Sequence, residues 1–135
     1  MELIINDHRK IHAIQEEFTK LFPFLHLEFF LKPHDMNGPS PKKEMLNNTK
    51  TLGECRTVHS KGGMSIAPGM SVAGLEELFR DRYGLFVQVM RRSGDHWLET
   101  TATDHWTLAQ QNAQGEIMSK PVVREKENED LDPPR

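Results

Sequence analysis

The stretch Gly94–Trp106 is the densest collection of chemistry-bearing side chains in the chain, and within it the triplet Asp-His-Trp occurs twice, at 95–97 and 104–106. An imidazole titrates near neutral pH, a carboxylate beside it can orient it, and an indole offers a flat apolar wall. If residues 96–101 form a strand, alternation puts Trp97, Glu99 and Thr101 on one face and His96, Leu98 and Thr100 on the other. Glu99, Thr101, Asp104 and His105 then converge on one sheet corner. His34, on the long loop at 33–50, can close over them as the fifth residue of a small ligand pocket. The same residues also have a plain structural reading: Trp97 fills core, Thr100 and Thr101 suit a strand, and Thr103 or Asp104 caps a helix.

Other pairings are sparser. His8 and His12 stand four apart on a predicted helix, the spacing of two metal ligands, but no acidic residue between them completes a zinc-protease motif. Cys55 and His59 are also four apart; in a strand that is about 13 Å, too far to share an ion, whereas in a helical segment they could meet. Gly53-Glu54-Cys55-Arg56 carries no cysteine-enzyme signature, so no catalytic residue, metal site or cofactor is assigned. Arg91 and Arg92, at a strand end before Ser93-Gly94, form a candidate anion site because guanidinium suits bidentate oxyanion contacts. Lys61-Gly62-Gly63-Met64 lacks phosphate-loop spacing.

Composition limits what these residues can serve. The chain has 135 residues, 36% hydrophobic and 27% charged, with a formal charge of -3. That length fits one domain able to bury a core without a disulfide or structural metal. A nucleic-acid partner is not expected, because phosphate binding draws on a basic excess that is missing here. A single cysteine cannot bridge within the chain, and no run approaches the roughly twenty apolar residues of a membrane span. The expectation is a soluble, cytoplasmic protein.

The elements that must position these residues are read from periodicity. Leu3-Ile4-Ile5 predicts a strand, followed by an Asn6/Asp7 cap. Ile11, Ile14, Phe18, Leu21 and Phe22 then recur at helical spacing until Pro23. Leu25–Leu31 alternates as a strand with Leu25, Leu27, Phe29 and Leu31 on one face and His26, Glu28 and Phe30 on the other. Thr51–Ser60 reads as a weak strand, and Gly62-Gly63 as the turn of a hairpin returning through Met64–Ala67. Ser71 caps a helix bearing Val72, Leu75, Leu78 and Phe79, and Gly84 ends it in a left-handed conformation. Leu85–Arg92 is a strand, Ser93-Gly94-Asp95 a turn, and His96–Thr101 its antiparallel return. A short helix carrying Trp106, Leu108 and Ala109 then stops near Gly115.

Two successive strand–helix–strand halves predict an α+β domain over residues 1–118. The expected form is a ferredoxin-like split βαβ arrangement with an added C-terminal strand and helix. A β-grasp-like order is the alternative, and 119–135 is expected to be a flexible polar tail. Phe86, Gln88 and Met90 oppose Leu85, Val87 and Val89 on their strand. One face takes the helices and the other needs a cover, which a second copy of the chain or another protein can supply. The functional expectation is therefore a non-catalytic binding or assembly module that self-associates through its sheet. A small enzyme or small-ligand-binding domain with its pocket at Glu99–His105 is the alternative.

Overall fold

The computed structural model describes residues 2–30, 45–56 and 62–120. Its elements run β1 (Glu2–Ile5), α1 (Ile11–Leu21), β2 (Leu25–Phe30), α2 (Leu52–Cys55), β3 (Gly62–Ser65), α3 (Val72–Tyr83), β4 (Phe86–Ser93), β5 (His96–Glu99) and α4 (Leu108–Ser119). A single 3-10 turn, Thr101–Thr103, joins β5 to the approach of α4. The α+β class holds. Most of the expected tail, and His34 and His59, lie outside the described residues.

The strands form two antiparallel ladders, β1–β3 and β2–β4–β5. A split βαβ sheet interleaves the two halves in one sheet, and that order does not appear in the described ladders. Each strand of the first half instead pairs with its counterpart in the second, Leu3 opposite Met64 and Leu27 opposite Val89. The hairpin expected about Gly62-Gly63 is replaced by the β1–β3 pairing, and residues 52–55 of the expected strand form a helical turn. Thr51 and Glu54 drive that turn through a capping box, each side chain accepting the other's backbone N–H.

The halves repeat each other in packing as well. Ile11, Ile14, Phe18 and Phe22 of the first correspond to Val72, Leu75, Phe79 and Tyr83 of the second, and all are buried in one core. Leu25, Leu27, Phe29, Val87 and Val89 supply the sheet side of that core. The left-handed Gly84, at φ 64°, ends α3 as expected.

The helix N-termini show the repetition most clearly. A helix start leaves its first backbone N–H groups without intrahelical acceptors. Ile11 and His12, opening α1, donate to Lys50 O (2.9 Å) and Asn48 O (3.0 Å) before α2. Leu52 and Gly53, opening α2, donate back to Arg9 O (2.8 Å) and Asp7 O (3.1 Å). The second half repeats this register. Val72 and Ala73 donate to Trp106 O (3.0 Å) and Asp104 O (2.8 Å), while Leu108 and Ala109 donate to Met70 O (2.8 Å) and Pro68 O (3.0 Å). Each helix is preceded by a turn closed from Arg9 to Asn6, Lys50 to Asn47, Met70 to Ala67 or Trp106 to Thr103. The first helical residue in every case, Ile11, Leu52, Val72 or Leu108, is a fully buried aliphatic.

This arrangement corrects two caps. Asn6 and Asp7 do not cap α1; Lys10 occupies that position without a side-chain bond, because the α2 approach already supplies acceptors. Thr103 and Asp104 do not cap α4; Thr107 does, in a capping box with Gln110. Nor does α4 stop at Gly115. A Cβ there would sit 2.8 Å from Phe24 Cβ, so the glycine lets the helix approach the chain entering β2.

Candidate functional site

The Glu99–His105 corner is built mainly by backbone. Thr100 is buried and its hydroxyl donates to Val89 O (2.8 Å). Asp104 O and Trp106 O receive the first N–H groups of α3, and Thr103 O and Oγ1 both accept from Gln111 Nε2. Glu99, Thr101 and Asp104 are half-buried, and His105 is exposed. The turn Thr103-Asp104-His105-Trp106 precedes α4 as Asn47-Asn48-Thr49-Lys50 precedes α2, and the Asn6-Asp7-His8-Arg9 turn before α1 carries the same Asp-His pair, which makes Asp-His a shared turn composition.

The two arginines of the candidate anion site part company, because neighbouring strand residues face opposite ways. Arg91 lies on the core face, donating to Gln111 Oε1 (2.8 Å) with its guanidinium 5.7 Å from the centre of the Trp106 ring. Arg92 lies on the other face, 5.6 Å from the Trp97 ring centre, and donates to Gly94 O (2.8 Å). The structure does not bring them together on one anion.

The Phe86–Gln88–Met90 face is less open than alternation alone suggests. Gln88 is fully buried, Phe30 beside it is buried, and Phe86 and Met90 are half-buried. The solvent-facing part of that surface lies toward β5, where Trp97 stacks on His26 with ring centres 5.3 Å apart. His26 also pairs with Glu28 at 2.9 Å.

An open groove of about 530 Å³ runs between α1 and β2, lined by His12, Gln15, Glu16, Thr19, Lys20, His26 and Asn48. Gln15 and Thr19 form its floor by donating to Leu27 O (2.7 Å) and Leu25 O (2.9 Å) on the outer side of β2. His12 faces Glu16 at 3.8 Å. The sequence-level signal for this groove was the His12–Glu16 spacing on α1, but the partner strand that completes it carries no local mark. Among the described residues no group of three His, Cys, Asp or Glu side chains is placed to hold a metal ion, and no helix is long and apolar enough to cross a membrane.

Cys55, at the end of α2, is half-buried, and burial raises its thiol above the usual range. The thiolate is the nucleophile, so at neutral pH less of it is present than in a free cysteine. Alkylation by iodoacetamide at pH 7 should therefore be slower than for an unfolded peptide and should accelerate in denaturant. Equal rates in the two states would remove the burial argument.

Exposed large apolar side chains among the described residues gather at one end of the molecule. Trp97 is 37% exposed, Leu98 43%, Ile117 64% and Met118 48%; Ile4, at 48%, is the one elsewhere. The Gly94 N–H donates to Ser119 Oγ (3.2 Å), tying the end of α4 to the β4–β5 turn. Comparison with protein-family models, curated proteins and solved structures found no match.

Proposed function

We propose that the chain is a non-catalytic assembly module of the cytoplasm that self-associates, or joins another protein, through its three-stranded sheet. The observation that carries this reading is the apolar end made by Trp97 and Leu98 on β5 with Ile117 and Met118 on α4. Trp97 and Leu98 point to opposite faces of β5, so the apolar groups at this end offer themselves on both sides of the strand; exposed apolar groups mark association surfaces, and Trp, Met and Arg are enriched in them. Trp97, between Arg92 and His26, is a large side chain already partly ordered, so it loses little freedom on docking. Sedimentation of the full chain over a range of concentrations tests the reading. Reversible self-association is expected, and a strictly monomeric chain at the highest attainable concentration would remove the self-association.

A ligand-binding reading draws its support from the groove beside α1. It places the ligand there instead of at the Glu99–His105 corner. A small molecule held in the groove should move the imidazole NMR signals of His12 and His26 and leave those of His105 in place. The reverse pattern would return the site to the corner.

A further inference from the structure

The groove between α1 and β2 is floored by side chains whose hydrogens are already committed. Gln15 is 5% exposed, and its Nε2 donates to Leu27 O (2.7 Å) and reaches Glu28 Oε1 at 3.4 Å. A main-chain carbonyl only accepts, so the amide is fixed with its nitrogen toward β2 and its oxygen left over. The Thr19 hydroxyl gives its one hydrogen to Leu25 O (2.9 Å) and keeps only lone pairs. His26 Nε2 lies 2.9 Å from Glu28 Oε2. A carboxylate only accepts, so that nitrogen carries a hydrogen, and in the neutral ring Nδ1 is an acceptor. Three of the side chains lining the groove therefore have lone pairs to offer a ligand and no hydrogen.

The charged groups favour the same kind of ligand. Glu16 is exposed, and its ion-pair partner among the described residues is His12 Nδ1, 3.8 Å away, too far for a normal hydrogen bond. Lys20 stands four residues on, yet it forms no ion pair with Glu16 among the described residues. Its charge acts on Glu17, where, behind the hydrogen bond and charge of Arg9, it helps hold the carboxyl below its usual range. Lys20 is exposed, so its ammonium stays in water while its carbon stem walls the groove. The second half treats the matching surface differently. In the register that sets Phe18 with Phe79, α3 carries Ala73 for His12, and Arg80 and Asp81 for Thr19 and Lys20. Arg80 and Asp81 pair with each other at 3.0 Å.

We propose that the groove binds a small aliphatic amine as its ammonium ion. The inference rests on the ligand-binding reading of the groove and names its ligand class. An ammonium has three donors and no acceptor, the complement of a floor that keeps only acceptors. Glu16 supplies the counter-charge, and the stem of Lys20 gives the carbon chain an apolar wall. The groove, at about 530 Å³, lies in the range of small-molecule sites. A phosphate or carboxylate would need hydrogens that Gln15 and Thr19 have given to β2, and it would face Glu16.

Putrescine, n-butylamine, n-butanol and inorganic phosphate, titrated separately into the full chain at fixed pH and ionic strength, test the class by imidazole NMR. The two amines are expected to shift His12 and His26 saturably and leave His105 in place, while butanol and phosphate shift neither. Glu16→Gln should weaken amine binding about three- to fivefold, the scale of a solvent-exposed ion pair, and Lys20→Gln should not weaken it. Both positions are exposed on α1, so circular dichroism should not change. Shifts of His12 and His26 by phosphate or butanol but not by the amines overturn the amine and leave the groove reading standing. A larger loss from Lys20→Gln than from Glu16→Gln does the same. Shifts at His105 alone overturn the groove reading itself, and no shift at any imidazole overturns the amine. Nα-acetyl-lysine amide carries the same butylammonium group as a protein side chain. Tighter binding of it than of putrescine would assign the groove to a lysine of a partner protein and overturn the free amine.

Discussion

Phe79→Ala is expected to destabilise the fold by about 3–5 kcal/mol, the range for truncating a buried phenylalanine. Phe79 is fully buried on α3. Its ring meets Phe29 of β2 edge-on, with centres 5.9 Å apart at 86°, and lies 6.4 Å from the Tyr83 ring. It therefore joins the helix of the second half to a strand of the first, and the cavity it leaves has walls from both. Relaxation of one wall alone cannot fill it, which places the cost high within the range. Urea denaturation checks this as a lower midpoint with unchanged slope. Phe79→Leu, which keeps most of the volume, should cost well under half as much. A loss below about 1 kcal/mol for the alanine variant would mean that the halves are not coupled through this ring.

Asp7→Ala is expected to cost a comparable amount, about 3–5 kcal/mol, for an electrostatic reason. The Arg56 side chain is fully buried beyond α2, and both Nε (2.9 Å) and Nη2 (2.7 Å) donate to Asp7 Oδ1. Its guanidinium lies 5.9 Å from the centre of the Tyr83 ring, and Nη1 has no hydrogen-bond partner among the described residues. Removing the carboxylate leaves a buried cation without its counter-charge, whereas removing both charges does not. The double variant Asp7→Ala/Arg56→Met should therefore regain most of the loss, read as a large coupling energy in a double-mutant cycle. Additive losses would mean that the guanidinium finds water or another partner once Asp7 is gone. The pair also has a topological role. Asp7 follows β1, Arg56 follows α2, and their bond closes the reciprocal contact between the N-termini of α1 and α2.

Both predictions concern residues whose importance comes from what lies across the fold. Asp7 reads in the sequence as a helix cap, because Asp before an apolar stripe is a common cap. Its carboxylate instead goes to an arginine far along the chain, and its carbonyl serves Gly53. The same exchange explains the Asp104–His105 corner. A run of Asp, His, Trp and Thr resembles a pocket when read along the chain, yet those positions form a turn whose carbonyls receive the α3 N-terminus. Composition cannot separate the two uses, since turn residues and site residues are the same polar types.

Local physics was legible where a side chain answers to its own neighbours. The 3.6-residue stripe of α1, the alternation of β2 and β4, the Ser71 cap, the left-handed Gly84 and the Gly94-Asp95 turn all follow from near-sequence geometry. The capping boxes Thr51–Glu54 and Thr107–Gln110 were equally local signals, masked by helices too short or too glycine-marked to show a clear stripe. The sequence by itself thus determined most of the element types, though not the helical turn at 52–55, along with the inward faces of its main strands and an α+β class. Only the tertiary structure decided which strands pair, that the two halves join as β1–β3 and β2–β4, that Arg91 and Arg92 serve opposite faces, and that Trp97 and Leu98 stand on a strand whose ladder partner among the described residues is β4 alone. Alternation specifies the face of a strand that is buried but says nothing about what fills its edge. Edge partners are chosen by backbone groups that every residue carries alike, so their choice appears only once distant segments are folded together.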